Sequence, residues 1–155
     1  MSIFSLFVFI HVLSATVLFA SGIITAIVMV DAFIRRHPKD MALASQRVVK
    51  ADWFMTLPSA IIQAVTGIIL VHIMHIPFST LWVVWSIILY SLSIILWIIV
   101  VQLQIHIAEL AQIAYEQQIP FPQKGWSYFK WWFALGWPTF LCFLLIFWLM
   151  VTRPI

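Results

Sequence analysis

Residues 3–30, IFSLFVFIHVLSATVLFASGIITAIVMV, form an unbroken apolar run whose only ionisable side chain is His11. About 20 such residues cross the hydrocarbon of a bilayer as a helix, and a helix satisfies every backbone polar group where no water can. An imidazole at that depth needs a partner. At helical spacing from His11 lie Ser14, Ala15, Leu18, Ser21, Gly22, Thr25 and Met29. The histidine thus shares a face with small and weakly polar residues, which let a second helix or a flat ligand approach closely. Two readings follow: a hydrogen bond to a neighbouring helix, or ligation of a metal or haem iron.

Three more apolar runs follow, from Trp53 to about His75, from Leu81 to about Gln104 and from Phe129 to Thr152. Each matches one crossing. The composition agrees, with 155 residues of which 65% are hydrophobic and 8% charged, and a mean hydropathy of +1.11. These values belong to polytopic membrane proteins. We read residues 1–155 as a single transmembrane domain. Its helices are expected at about 3–30, 53–75, 81–104 with a cytoplasmic extension to about 118, and 129–152. No basic region precedes the first apolar run, which is too long for a signal h-region, so the first span is expected to be retained.

The net charge of +3 does not indicate a nucleic-acid partner, because the basic residues lie in short connections and form no stripe. They report topology. The first connection, Asp31 to Asp52, carries Arg35, Arg36, Lys39, Arg47 and Lys50, and the third, Ile105 to Tyr128, carries Lys124, with Lys130 just beyond. The second connection, Ile76 to Thr80, carries no charge. Positive residues stay inside, so the first and third connections are expected in the cytoplasm and both termini in the periplasm of a bacterial inner membrane. The fold class is all-α: an up-down, multi-pass four-helix bundle in contact with lipid. Within the first connection, DMALASQRVVKAD after Pro38 repeats its apolar residues as an amphipathic helix does. The lone Cys142 allows no intramolecular disulfide and no thiolate cage.

Depth decides which polar residues can cooperate. His11 lies about 12 Å along the first helix from Ile3 at 1.5 Å per residue, in the outer half. The second helix ends on the same side, so His72 and His75 also lie outward, whereas His106 belongs to the inner end of the third helix. His11 and His72 are therefore the candidate metal ligands, as a histidine pair bridging haem between helices of a bundle, with His75 the alternative to His72. His72 sits nine positions after Gln63, opposite the face of Thr56, Ser59, Gln63 and Thr66, and must rotate to point inward. Gly22 and Gly67 lack side chains on faces expected to pack inward, and Trp97 lies deep in the third span on a face with Ser86, Tyr90 and Ser93. These three complete the cofactor-binding candidates. Asp52 opens the polar face of the second helix, which either knits helices together or hydrates a proton path.

His11 with LSATVLFASG, the Ala51-Asp52 pair, Pro58, Gln63, Thr66-Gly67, Trp82, Trp97, Gly136-Trp137-Pro138 and the tail LMVTRP ending at Pro154 carry a resemblance over nearly the whole chain. The chain resembles an uncharacterised bacterial family of small, four-helix predicted integral membrane proteins. More distantly it is similar to the short membrane protoporphyrinogen oxidases that bind haem b and to the membrane domain of D-type copper-resistance proteins. That likeness rests on the early histidine, Phe19-Ala20, Arg47 and Thr56-Leu57-Pro58. The oxidases also carry Trp-x3-Lys at the start of the third helix, where Trp82 is here followed by Ser86. The resemblance implies haem b at His11, while the departure at Ser86 removes the lysine that would hold a propionate.

The expectation is therefore a b-type haem protein passing electrons between the quinone pool and a periplasmic redox protein or larger membrane complex. A porphyrin-modifying membrane enzyme, an oxidoreductase, is the first alternative. A non-catalytic membrane subunit without cofactor is the second.

Overall fold

A computed structural model describes residues 2–153; Pro154, the last residue of the quoted tail, lies outside them. Five α-helices follow one another: α1 Ile3–Arg35, α2 Pro38–Ala51, α3 Leu57–Ile73, α4 Leu81–Glu116 and α5 Gln123–Thr152. A π-helical turn, Asp52–Thr56, fuses α2 to α3, so Pro38–Ile73 is one long span. Four helical segments are thus long and apolar enough to cross a membrane, and the described residues contain no strand. The chain is an all-α integral membrane bundle. Its outer surface fits lipid: Ile3, Ile27, Ile95 and Val151 are among the many large apolar side chains left exposed.

The helix ends have local causes. Ser2 accepts a hydrogen bond from the Ser5 N–H and caps α1. At its other end Arg36 adopts a left-handed conformation, φ 55°, and the His37-Pro38 pair then begins α2 with proline where no N–H is needed. The π turn has a cause as well. Pro58 cannot donate and its ring crowds the preceding turn, which opens so that the Leu57 N–H reaches the Asp52 carbonyl, five residues back.

The sequence places a connection across residues 31–52, but the structure makes most of it helix. α2 carries Met41, Ala42, Ala44, Ser45 and Val48 on one buried face. That face joins Met29, Ala32 and Phe33 of α1, Val100, Ile107 and Ala111 of α4, and Trp132 of α5 in the main core. The amphipathic segment and its lead into the second span were legible; that the two form one unbroken helical span was not, because hydropathy falls where the helix leaves hydrocarbon. Phe33 stacks on Phe129, centroids 4.4 Å apart, and Arg36 lies 5.1 Å over the Trp126 ring. The core therefore sits at the α2 end, away from the end where α1 begins and α5 finishes. The helices gape at that terminal end.

Candidate functional site

One seam of buried polar side chains runs between α1 and the second span: Ser14, Ser21, Thr56, Ser59, Gln63 and Thr66. At spacings of three and four residues these side chains share helix faces. In an apolar bundle each must find a partner.

At the terminal end the seam closes around His11. His11 Nδ1 lies 2.8 Å from Thr66 Oγ1, and His11 Nε2 lies 3.0 Å from Gln63 Nε2. Thr66 has one hydroxyl proton and gives it to the Ile62 carbonyl at 2.6 Å. Its oxygen can then only accept from His11, which makes Nδ1 the protonated ring nitrogen. Nε2 carries the lone pair and accepts from the Gln63 amide. Ser14 completes the set by giving its one hydroxyl proton to Gln63 Oε1 at 2.5 Å, with the His11 carbonyl 3.0 Å from the same oxygen. The imidazole is neutral, fixed in one tautomer and fully bonded.

Beside it opens a cavity of about 420 Å³ between α1, α3, α4 and α5, within the ordinary range for a small-molecule site. Its walls are mainly apolar and aromatic, with Phe4, Leu18, Trp82, Phe143 and Phe147 among them. The polar groups are few: His11, Gln63, Ser86, Tyr90, Ser91, and Arg153 beyond the end of α5. Tyr90 is spoken for, its hydroxyl donating to the Ala60 carbonyl at 2.6 Å.

Of the five residues singled out in the sequence, the structure brings two together. Gly67 lies against His11: a Cβ there would come within 3.2 Å of His11 Cε1. Gly22 does not pack inward. It is exposed, and a Cβ there would meet nothing within 4 Å. His72 is exposed on α3 and is absent from the cavity wall, as its half-turn offset from Gln63 requires. Trp97 belongs to the other end of the bundle, facing Asp52. Arg153 lay beyond the last apolar run, and nothing in its spacing signalled the cavity.

The donor set bears on what the cavity could hold. Among the described residues no group of three or more His, Cys, Asp or Glu side chains converges, so a bare ion finds no cage. An iron that brings its own porphyrin nitrogens asks for only one or two axial ligands. His11 suits that demand, because a ligating histidine donates its second N–H to a neighbouring oxygen, as Nδ1 does to Thr66.

A family model described as "Predicted integral membrane protein (DUF2269)" matches residues 5–154. No curated protein and no solved structure matches the chain.

Proposed function

The chain belongs to this family of integral membrane proteins, and from that premise we propose that it binds haem b in the cavity at the terminal end. Electron transfer between the quinone pool and a periplasmic partner is the activity proposed with it. The observation that carries this reading is the cavity: apolar walls, a neutral histidine of fixed tautomer on one side and an arginine at the edge. His11 Nε2 would be an axial ligand, and Gln63 would give up its hydrogen bond to that nitrogen. Gly67 leaves the ring its room. Haem supplies one-electron chemistry when bound; the helices hold and tune it. Seven of the eight Lys and Arg residues lie toward the α2 end, which supports a cytoplasmic α2 end and a cavity in the periplasmic half of a bacterial inner membrane.

The likeness to short protoporphyrinogen oxidases enters on the same terms. Ser86, where those enzymes have lysine, lines the cavity, and Arg153 contributes a cation to its lining from another helix. A porphyrin acted on as substrate is accordingly the enzymatic variant of the proposal. Rescue of a haem-synthesis mutant distinguishes it.

One observation favours a different class: both His11 nitrogens already have partners. On that reading the histidine knits α1 to α3 in a non-catalytic membrane subunit. An absorption spectrum decides. Protein produced with ample haem should show Soret and alpha bands that respond to reduction, and His11→Ala should abolish or shift them. Colourless protein overturns the haem reading, and bands that respond to His72→Ala alone overturn the ligand assignment.

A further inference from the structure

At the π turn, with Asp52 about 16 Å along the second span from Gln63 at 1.5 Å per residue, lies a second polar group that the cavity does not use. Asp52 is 4% exposed and Gln104 3%. The Asp52 carboxyl faces Thr56 from its own turn and Trp97 and Gln104 from α4. Thr56 donates to Asp52 Oδ1 at 2.8 Å, and its oxygen lies 3.0 Å from Ser21 Oγ of α1. Asp52 Oδ2, Gln104 Oε1 and the Trp97 N–H are all buried and make no hydrogen bond.

Asp52 Oδ2 and Gln104 Oε1 are acceptors, and a bare buried acceptor demands a donor. A charged carboxylate would further demand a cation. Among the described residues no Lys, Arg or His nitrogen lies within 4.0 Å of Asp52; the ion pair found is Arg35 with Asp31. The charged and titratable groups on the surrounding elements face outward: Asp31 and Arg35 of α1, Arg47 and Lys50 of α2, His106 and Glu109 of α4, and Lys130 of α5 are all exposed. His11 and Tyr90 belong to the cavity end. An unpaired carboxylate inside a bundle is expensive, and the usual resolution is to neutralise it. A proton placed on Oδ2 removes the charge and makes that oxygen a donor, for which Gln104 Oε1 is an acceptor still unused.

We propose that Asp52 is a proton-binding site of this membrane bundle, held open at the π turn and reading its protonation into the contact between the second span and α4. Uptake forms the Oδ2–H bond with a proton drawn from water on the α2 side, and release returns it; no electron moves. The inference is independent of haem, and a colourless protein leaves it standing.

Infrared spectroscopy of the full-length protein in lipid nanodiscs tests it. The carbonyl band of a protonated carboxylic acid should be present at neutral pH, persist in Asp31→Asn, vanish in Asp52→Asn and fade at alkaline pH. Gln104→Leu, which removes the acceptor, should shift that band toward the frequency of an unbonded acid. Absence of the band from the parent protein overturns the proposal, as does a band unmoved by both Asp52→Asn and Gln104→Leu. A Gln104 amide turned to donate to a charged carboxylate would give the first result. A thermal midpoint raised by sodium but not choline, and only while Asp52 is present, would overturn it in favour of a cation.

Discussion

Gly67, packed against His11, and Gly22, exposed on α1, carry opposite predictions. A methyl at position 67 would stand 3.2 Å from His11 Cε1, while Thr66 and Gln63 pin the ring and leave it little room to yield. Gly67→Leu should therefore expel the imidazole from its bonds, erasing any haem bands while the protein still elutes as a folded species on size exclusion. Gly22→Ala meets open space, so its thermal midpoint should correspond to a change within about 0.5 kcal/mol. The helical period in the sequence did group the right residues. Ser14, Ala15, Leu18, Ser21, Thr25 and Met29, all chosen by spacing from His11, are buried. Gly22 is the exception: the i+11 position lies only about 20° around the helix from His11, nearer than the buried Ser21, so spacing grouped it with that face and nothing in the structure explains its exposure. The hydrogen bonds themselves were not legible. Gln63 and Thr66 read as inward-facing, but their choice of His11 depends on how α1 and α3 are set in height, which no residue pattern states.

Elements were legible where hydrocarbon dictates them and obscure where it stops. The four apolar runs coincide with four spanning helices because only a helix satisfies its backbone in lipid. Their ends were misjudged at the α2 end: α1 continues to Arg35 and α2 is continuous with α3 through the π turn. Charged residues are no barrier to a helix there, because their side chains reach water while alanines take the inner face. Ala42 and Ala44 of α2 and Ala111 and Ala114 of α4 are all nearly without exposure. Ala111→Leu should accordingly force these helices apart and destabilise the protein by about 1–3 kcal/mol. The exposed Lys39→Ala should leave the midpoint unchanged, and thermal unfolding in one detergent would separate them.

At the scale of the whole molecule the charges and the two polar groups divide between the ends. All five acidic residues and seven of the eight basic ones belong to the α2 end, together with the main core and the Asp52 group. The terminal end keeps His11, the cavity and Arg153. Charge asymmetry of this kind orients a bundle with its basic end inward, which would set Asp52 toward the cytoplasm and the cavity toward the periplasm. A proton site on one side and an electron-carrying site on the other would then share one polar seam. The orientation can be read directly. Cys142 is the chain's single cysteine and is buried, so Cys142→Ser gives a background for introduced thiols. Ser79→Cys, in the exposed turn between α3 and α4, should react with a membrane-impermeant maleimide in intact cells with a permeable outer membrane. Lys39→Cys, exposed at the start of α2, should react only after the inner membrane is opened. The reverse pattern would place the cavity on the cytoplasmic side and remove the periplasmic partner from the proposal, while leaving the His11 pocket and the Asp52 proton site to be judged on their own spectra.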